Sequence, residues 1–120
     1  MARVTIPVVN LGNLGGPIAA SLVAADAVND HEFTNDSRTF LVLENSTASP
    51  ASVTIVSTGD QWGRVGDVTL TAPPIVSTAA GVAVAGPFDP ENFNPGGGSL
   101  MNVDVASATG LRLFAFKYSL

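Results

Sequence analysis

The sequence predicts an all-β fold, a small β-sandwich or jelly-roll-like barrel of about seven or eight mainly antiparallel strands. Short runs rich in Val, Ile, Thr and Phe alternate apolar and polar residues, as half-buried strands do. Clusters of Gly, Pro, Asn and Asp separate these runs about every eight to twelve residues. Heptads and longer internal repeats are absent from the sequence. With 120 residues, we expect one β-sandwich domain over residues 1–120, in which residues 1–16 form an extended arm or an edge strand.

Two runs, residues 39–44 and 52–58, are the strongest strand candidates. The first is apolar on both faces, as a strand covered on both sides would be. The second alternates, with Val53 and Ile55 on one side. Because a polar, proline-bearing link (residues 45–51) joins them, we expect a central hairpin with a long loop.

The remaining strand candidates follow the same patterns. A strand over residues 3–10 is broken at Pro7, and because proline cannot donate to a ladder, this strand should lie at a sheet edge. Further strands are predicted over residues 67–72, 75–85, 99–105 and 111–120. The two terminal strands are both apolar and are candidates to pair with each other.

Two segments before the central strands are less regular. Residues 18–28 fit a helix, since they are rich in alanine and follow Pro17, or equally an extended segment with one turn at residues 24–28. Residues 29–37 are polar and predict a loop. Asn35 and Asp36 are expected to bond their own backbone in a turn. The next residue after this loop, Arg38, is expected to pair with Asp36, with Glu44 or with an acidic group on a partner.

The charge balance excludes several classes of partner. Ten acidic and five basic residues give a net charge of −5, and the basic residues are scattered at Arg3, Arg38, Arg64, Arg112 and Lys117. No basic patch for a nucleic-acid backbone or an anionic membrane is present in the sequence. A chain with so few charges is expected to have part of its surface covered by other chains.

Enzymatic activity is not expected, and neither is a cofactor or a metal. The chain has no cysteine, which excludes thiol catalysis and disulfides, and it has one histidine, too few for a zinc triad. His31 is either a ligand or base beside carboxylates, or a loop histidine whose ring bonds backbone. Asp30, Glu32 and Asp36 lack EF-hand spacing. The glycines at 12–16 lack the lysine of a phosphate-binding loop.

The first residues lack the apolar core of a signal peptide, and no run is long enough to span a bilayer, so synthesis in a cytoplasm is the simplest expectation.

Residues 26–55 resemble small proteins encoded among the head genes of tailed bacteriophages, described as minor capsid or head decoration proteins. The similarity extends over about residues 23–118. It consists of a His-aromatic-x-Asn-Asp-x-Arg-Thr run, a strand, an Asn, a small-residue loop with Pro, a Val-Thr-Val type strand, and later a Gly-Pro-Phe corner with an aromatic-Asn pair. The matching residues are His31, Phe33, Asn35, Asp36, Arg38, Thr39, Asn45, Ser49, Pro50, Val53, Thr54, Gly86, Pro87, Phe88, Phe93 and Asn94. Glu32, Ser37 and Phe93 depart from the usual pattern.

The resemblance implies a virion structural protein that self-associates as a homotrimer. Our leading hypothesis places it on the capsid surface, as a cement protein that binds the major capsid protein lattice. Another virion part (tail, collar or spike) is the alternative. A carbohydrate-binding module is a third possibility, which one Trp and one Tyr argue against, since such modules usually expose several aromatics.

Four residues are predicted to lie at a protein interface. Trp62 and Arg64 stand in a glycine-punctuated loop, and both types are enriched in binding hot spots. The alternative for Trp62 is that it folds back onto the core. Phe93, beside two asparagines, is expected to pack on a neighbour, whereas Phe88 should fill the core. Arg3 begins an edge strand that could extend a neighbour's sheet.

Overall fold

The computed structural model describes residues 2–10, 22–57, 66–95 and 98–117. These ranges contain ten strands and one helical turn. In chain order they are β1 (Val4–Thr5), β2 (Val8–Asn10), β3 (Val23–Ala24), β4 (His31–Thr34), β5 (Thr39–Asn45), β6 (Ala51–Ile55), β7 (Val68–Ala72), β8 (Gly81–Ala85), α1 (Pro90–Phe93), β9 (Leu100–Asp104) and β10 (Leu111–Lys117).

The strands form two five-stranded sheets, so the predicted all-β sandwich is confirmed. The first sheet has the order β1-β4-β9-β6-β7. The second has the order β2-β10-β5-β8, with β3 also paired to β10. Most neighbours are antiparallel, and the two exceptions among the described strands are β1 with β4 and β2 with β10. The prediction that the two terminal strands pair is therefore confirmed.

The core lies between the sheets and follows the predicted alternation. In β5, every second side chain is buried, and β9 buries Met101 and Val103 while Asn102 and Asp104 remain half-exposed. Three phenylalanines meet edge to face in this core: the Phe33 and Phe88 ring centroids are 6.3 Å apart, and those of Phe88 and Phe93 are 5.4 Å apart. Phe88 fills the core as predicted.

The N-terminal strand crosses from one sheet to the other at Pro7. Before the proline, β1 pairs with β4 in the first sheet, and after it β2 pairs with β10 in the second. Ile6 lies at the crossing and is 1% exposed. The prediction of an edge strand broken at Pro7 is thus confirmed, and residues 2–10 are the described part of the expected arm.

The prediction of a central hairpin is wrong. β5 belongs to the second sheet and β6 to the first, so the link between them crosses the sandwich. Asn45 is buried and directs this crossing: its Oδ1 accepts from the Thr47 backbone at 2.9 Å, and its Nδ2 donates to the Ser49 and Pro73 carbonyls at 2.8 and 3.1 Å. The outward side of β5 is half-buried rather than fully covered.

Three further expectations need correction or refinement. The polar segment 29–37 contains β4, whose His31 and Phe33 are buried. The strand expected over residues 75–85 is limited to β8, because Val76 and Ala79 close a turn before it. In the described residues 22–28, the extended alternative with one turn holds, since β3 precedes a turn at residues 27–29.

Candidate functional site

The second sheet carries apolar side chains on the face that points away from the core. Register places Val84, Val42 and Phe114 side by side in one row across β8, β5 and β10. Phe40 and Phe116 form the next row, with Val9 of β2 beside them. We call this set the outer apolar face; it consists of Val9, Phe40, Val42, Val84, Phe114 and Phe116.

Aromatic stacking organises this face. The rings of Phe40 and Phe116 are nearly parallel, with centroids 5.1 Å apart and planes inclined by 11°. Phe114 lies 6.0 Å from Phe116 in a second stacked contact. Phe114 is buried, at 2% exposed, and Val84 is 55% exposed, whereas the other four members of the face are half-buried. A face of an antiparallel sheet that meets only water is normally polar, so this composition is unusual.

Ion pairs border the outer apolar face along the sheet. At one end Arg112 of β10 pairs with Glu44 of β5 across the ladder. At the other end Lys117 Nζ lies 3.8 Å from Asp36 Oδ2. Glu44 and Asp36, the two carboxylates of this chain that were expected to pair with Arg38, thus contact Arg112 and Lys117. An apolar centre with charged ends is the arrangement found in many protein–protein interfaces.

The face ends at β8, which has one strand neighbour, β5, in the described part of the chain. No charged residue occurs between Asp67 and Asp89, the stretch that contains both β7 and β8. Among the described residues, four of the six exposed large apolar side chains fall in this stretch: Val68, Val76, Val82 and Val84.

The residues predicted to form an interface fall in different places. Trp62 and Arg64 lie outside the described residues. Arg3 makes contacts within the chain: its Nη1 bonds Asp104 Oδ1 at 2.8 Å and the His31 carbonyl at 3.2 Å. Phe93 is 8% exposed and packs on Phe88, so its side chain belongs to the core and the expectation that it packs on a neighbour loses its basis.

His31 is buried, and both ring nitrogens have backbone partners. Nε2 accepts from the Asp26 N–H at 2.9 Å, and Nδ1 lies 3.2 Å from the Val4 carbonyl, which fixes a neutral ring with its proton on Nδ1. Burial lowers the pKa of His31, although the Val4 carbonyl and the carboxylates of Asp26 and Asp30 oppose this. The ring bonds backbone as one of the two hypotheses held, but from a strand rather than from a loop.

The neighbouring carboxylates bond backbone. Asp30 Oδ1 accepts from the Val105 N–H at 2.7 Å, and Asp36 Oδ1 from the Arg38 N–H at 3.1 Å. For Asp36, burial raises the pKa, but the bonds from Arg38 and Thr39, with Lys117 nearby, outweigh it, and the pKa is lowered. The turn predicted at Asn35 and Asp36 is present, since Asn35 Oδ1 also accepts from the Ser37 N–H.

Within the described ranges, no three His, Asp or Glu side chains come together as metal ligands would. A groove of about 420 Å³ between residues 47–52 and 106–109 is lined by Ser, Thr, Ala and Pro side chains without an ionisable group. Among the described residues, no helix is long enough to cross a membrane, since α1 is a single turn of four residues.

No protein-family model, curated protein or solved structure matches the chain. The outer apolar face is therefore the main structural indication of function. Its sequence signal was the double-sided apolar run at residues 39–44, which indicated a covered strand, together with Phe114 and Phe116 on one side of the last strand.

Proposed function

We propose that the protein is a virion structural protein of a tailed bacteriophage, which binds the outside of the head and stabilises the lattice of the major capsid protein. The observation that supports it best is the outer apolar face. Because Val84 is exposed and four further apolar side chains of this face are half-buried, we expect another chain to cover their remaining surface in the assembled state.

The burial of polar side chains agrees with the resemblance to head proteins. Among the described residues, the buried polar ones are His31, Asn35, Thr39, Asn45 and Asn94, and all five belong to the pattern that carries the resemblance. Asn35 and Asn94 bond each other reciprocally: Asn35 Nδ2 donates to Asn94 Oδ1, and Asn94 Nδ2 to the Asn35 carbonyl, both at 2.9 Å. The shared pattern thus maintains the fold, and the surfaces carry the binding.

The mechanism is multivalent stapling. Each copy contributes modest contacts to several capsid subunits, and copies linked by self-association bind with a high effective concentration. The homotrimer implied by the resemblance stays a prediction. The low charge of the chain fits broad burial against other proteins.

The test is co-sedimentation with mature, undecorated capsids. The wild-type protein should pellet with capsids and saturate, whereas Val42→Lys, in the middle of the outer apolar face, should bind at least about tenfold more weakly. Thr69→Lys adds the same charge to an exposed position of the first sheet and should bind as wild type. Urea unfolding establishes that both variants are folded.

Absence of the folded wild-type protein from the pellet at saturating concentration would remove the proposal. Binding to purified tails instead of heads would place the protein in the tail or collar.

A further inference from the structure

In the part of the chain that the structure describes, β8 is an edge strand without the usual protection of edges. Natural sheets guard long edges with charged residues, proline, bulges or a covering segment, because unpaired N–H and C=O groups attract other strands. β8 has five residues, contains no charge or proline, and exposes Val82 and Val84 by 52% and 55%. Its neighbouring edge strand, β7, is also uncharged and five residues long. The features point to a strand that is paired in the assembled protein.

The sequence of β8 is self-complementary. The strand reads Gly-Val-Ala-Val-Ala, with the two outward valines placed symmetrically about Ala83. If two copies pair antiparallel about Ala83, Val82 lies directly opposite Val84 of the partner subunit, and Ala83 lies opposite itself. Facing β-branched side chains on one side of an antiparallel pair are a favourable arrangement.

We propose that β8 pairs antiparallel with β8 of a second copy about a two-fold axis at Ala83. The two second sheets then form one continuous sheet across the axis. Val84 already lies beside Val42 within its own subunit, so the pairing joins the outer apolar faces of the two copies. The exposed valines become cross-strand neighbours, and β8 is no longer a free edge in either copy.

The absence of charge favours a second copy over a different partner. A foreign strand is usually selected by charge or by side-chain pockets, and β8 offers small apolar side chains that match its own pattern. The contact is isologous and closes on itself, so it produces a dimer. A closed trimer of three copies cannot contain this contact, so the proposal predicts a dimer where the resemblance implies a homotrimer. It does not depend on the proposed function, since it needs no capsid.

Sedimentation velocity over micromolar to millimolar concentrations tests the proposal on the purified full chain. We expect the mass to rise from that of the 12.2 kDa chain to twice that value. A matched pair of double variants tests the register. Val82→Lys with Val84→Lys sets like charges opposite each other across the axis and should weaken the dimer at least about tenfold. Val82→Lys with Val84→Glu sets opposite charges there and should retain the dimer.

A cross-link provides a second measurement, because the chain contains no cysteine. Ala83→Cys should form a disulfide dimer under mild oxidation, and Thr69→Cys on the first sheet should not. A monomer at all concentrations, a trimer, or a dimer that responds equally to the two double variants would each overturn the proposal. Failure of capsid binding with an intact dimer would count against the proposed function alone.

Discussion

The two sides of the sandwich are closed in opposite ways. On one side, the N-terminal segment continues from β1 to β2 and supplies an edge strand to each sheet, in pieces of two and three residues. On the other side, β7 and β8 end the two sheets with five residues each. The first side has a proline, a buried Ile6 and the Arg3–Asp104 ion pair, whereas the second has no charge.

This difference separates two roles of an edge. Short strands, proline and charge are the devices by which an edge avoids other chains, so the N-terminal side is built for stability within the monomer. On the other side, β8 itself contains neither charge nor proline and exposes two valines, so this edge is suited to contact with another chain. Substitutions on the first side should therefore affect folding, and substitutions on exposed positions of β8 should affect association.

The largest effect is expected from Ile6→Ala at the crossing between the sheets. Ile6 is 1% exposed and belongs to the core cluster. Removing its side chain leaves a cavity, so we expect the free energy of unfolding to fall by about 2–5 kcal/mol. Val82→Ala, on the exposed part of β8, should change it by less than about 0.5 kcal/mol. Urea unfolding of monomeric samples measures both, and equal losses would contradict the difference between the sides.

The next effect concerns Gly81, a position where the β7–β8 side is tightly packed. A Cβ on Gly81 would lie 1.8 Å from the Pro73 carbonyl oxygen, which belongs to the backbone and must shift. We expect Gly81→Ala to destabilise the fold by about 1–3 kcal/mol. Gly66→Ala is the control, because a Cβ there meets nothing within 4 Å. A fully stable Gly81→Ala variant would show that this end of β8 is looser than described.

Sequence patterns predicted the parts of this fold that depend on local alternation. The inward residues of β9 and β10 follow from the period-two alternation of apolar residues. The break at Pro7 follows from the backbone N–H that proline lacks. The hairpin failed because strand order is a long-range property. Nothing in the link 45–51 states that Asn45 bonds the Pro73 carbonyl, 28 residues away, and so directs β6 into the other sheet.

The same limit applied to β4 and to the site. His31 is polar, and one of its partners, the Val4 carbonyl, becomes a neighbour only when β1 pairs with β4. Phe93 was placed on the surface because asparagines flank it, yet Asn94 is buried with it and bonded to Asn35. The outer apolar face was visible in the sequence only as two separate signals, the apolar run of β5 and the two phenylalanines on one side of β10, since its residues come from four strands.

A smaller loss of stability is expected when Arg3 loses its charge. Its Nη1 bonds the His31 and Val103 carbonyls and Asp104, and its side chain is 26% exposed, so Arg3→Met should cost about 1–2 kcal/mol. Arg112→Met removes a cross-strand ion pair whose arginine is 50% exposed and should cost no more than about 1 kcal/mol. Urea unfolding at low and moderate salt compares them, and a larger loss for Arg112→Met would contradict the importance of the N-terminal side.

The smallest effect is a pH dependence that arises from His31, the one histidine of the chain. Its pKa in the folded protein is lowered, chiefly by burial, below the value of about 6.5 that it has in an unfolded chain. At pH values below the unfolded pKa, the unfolded state binds a proton that the folded state does not. The free energy of unfolding therefore decreases as the pH is lowered, until the folded pKa is reached. The slope can be at most about 1.4 kcal/mol per pH unit. Unfolding at pH values from neutral down to mildly acidic measures it.

His31→Gln is the comparison for this slope. It removes the titrating ring while leaving a polar side chain beside the Val4 carbonyl, so its stability should be lower overall but nearly independent of pH in this range. The lowered pKa values of Asp26 and Asp36 affect the pH dependence of stability only at more acidic pH, because both carboxylates are charged at pH values above their usual pKa of 3.8. An unchanged slope in His31→Gln would show that the contacts of β1 with His31 do not set the acid sensitivity of the N-terminal side.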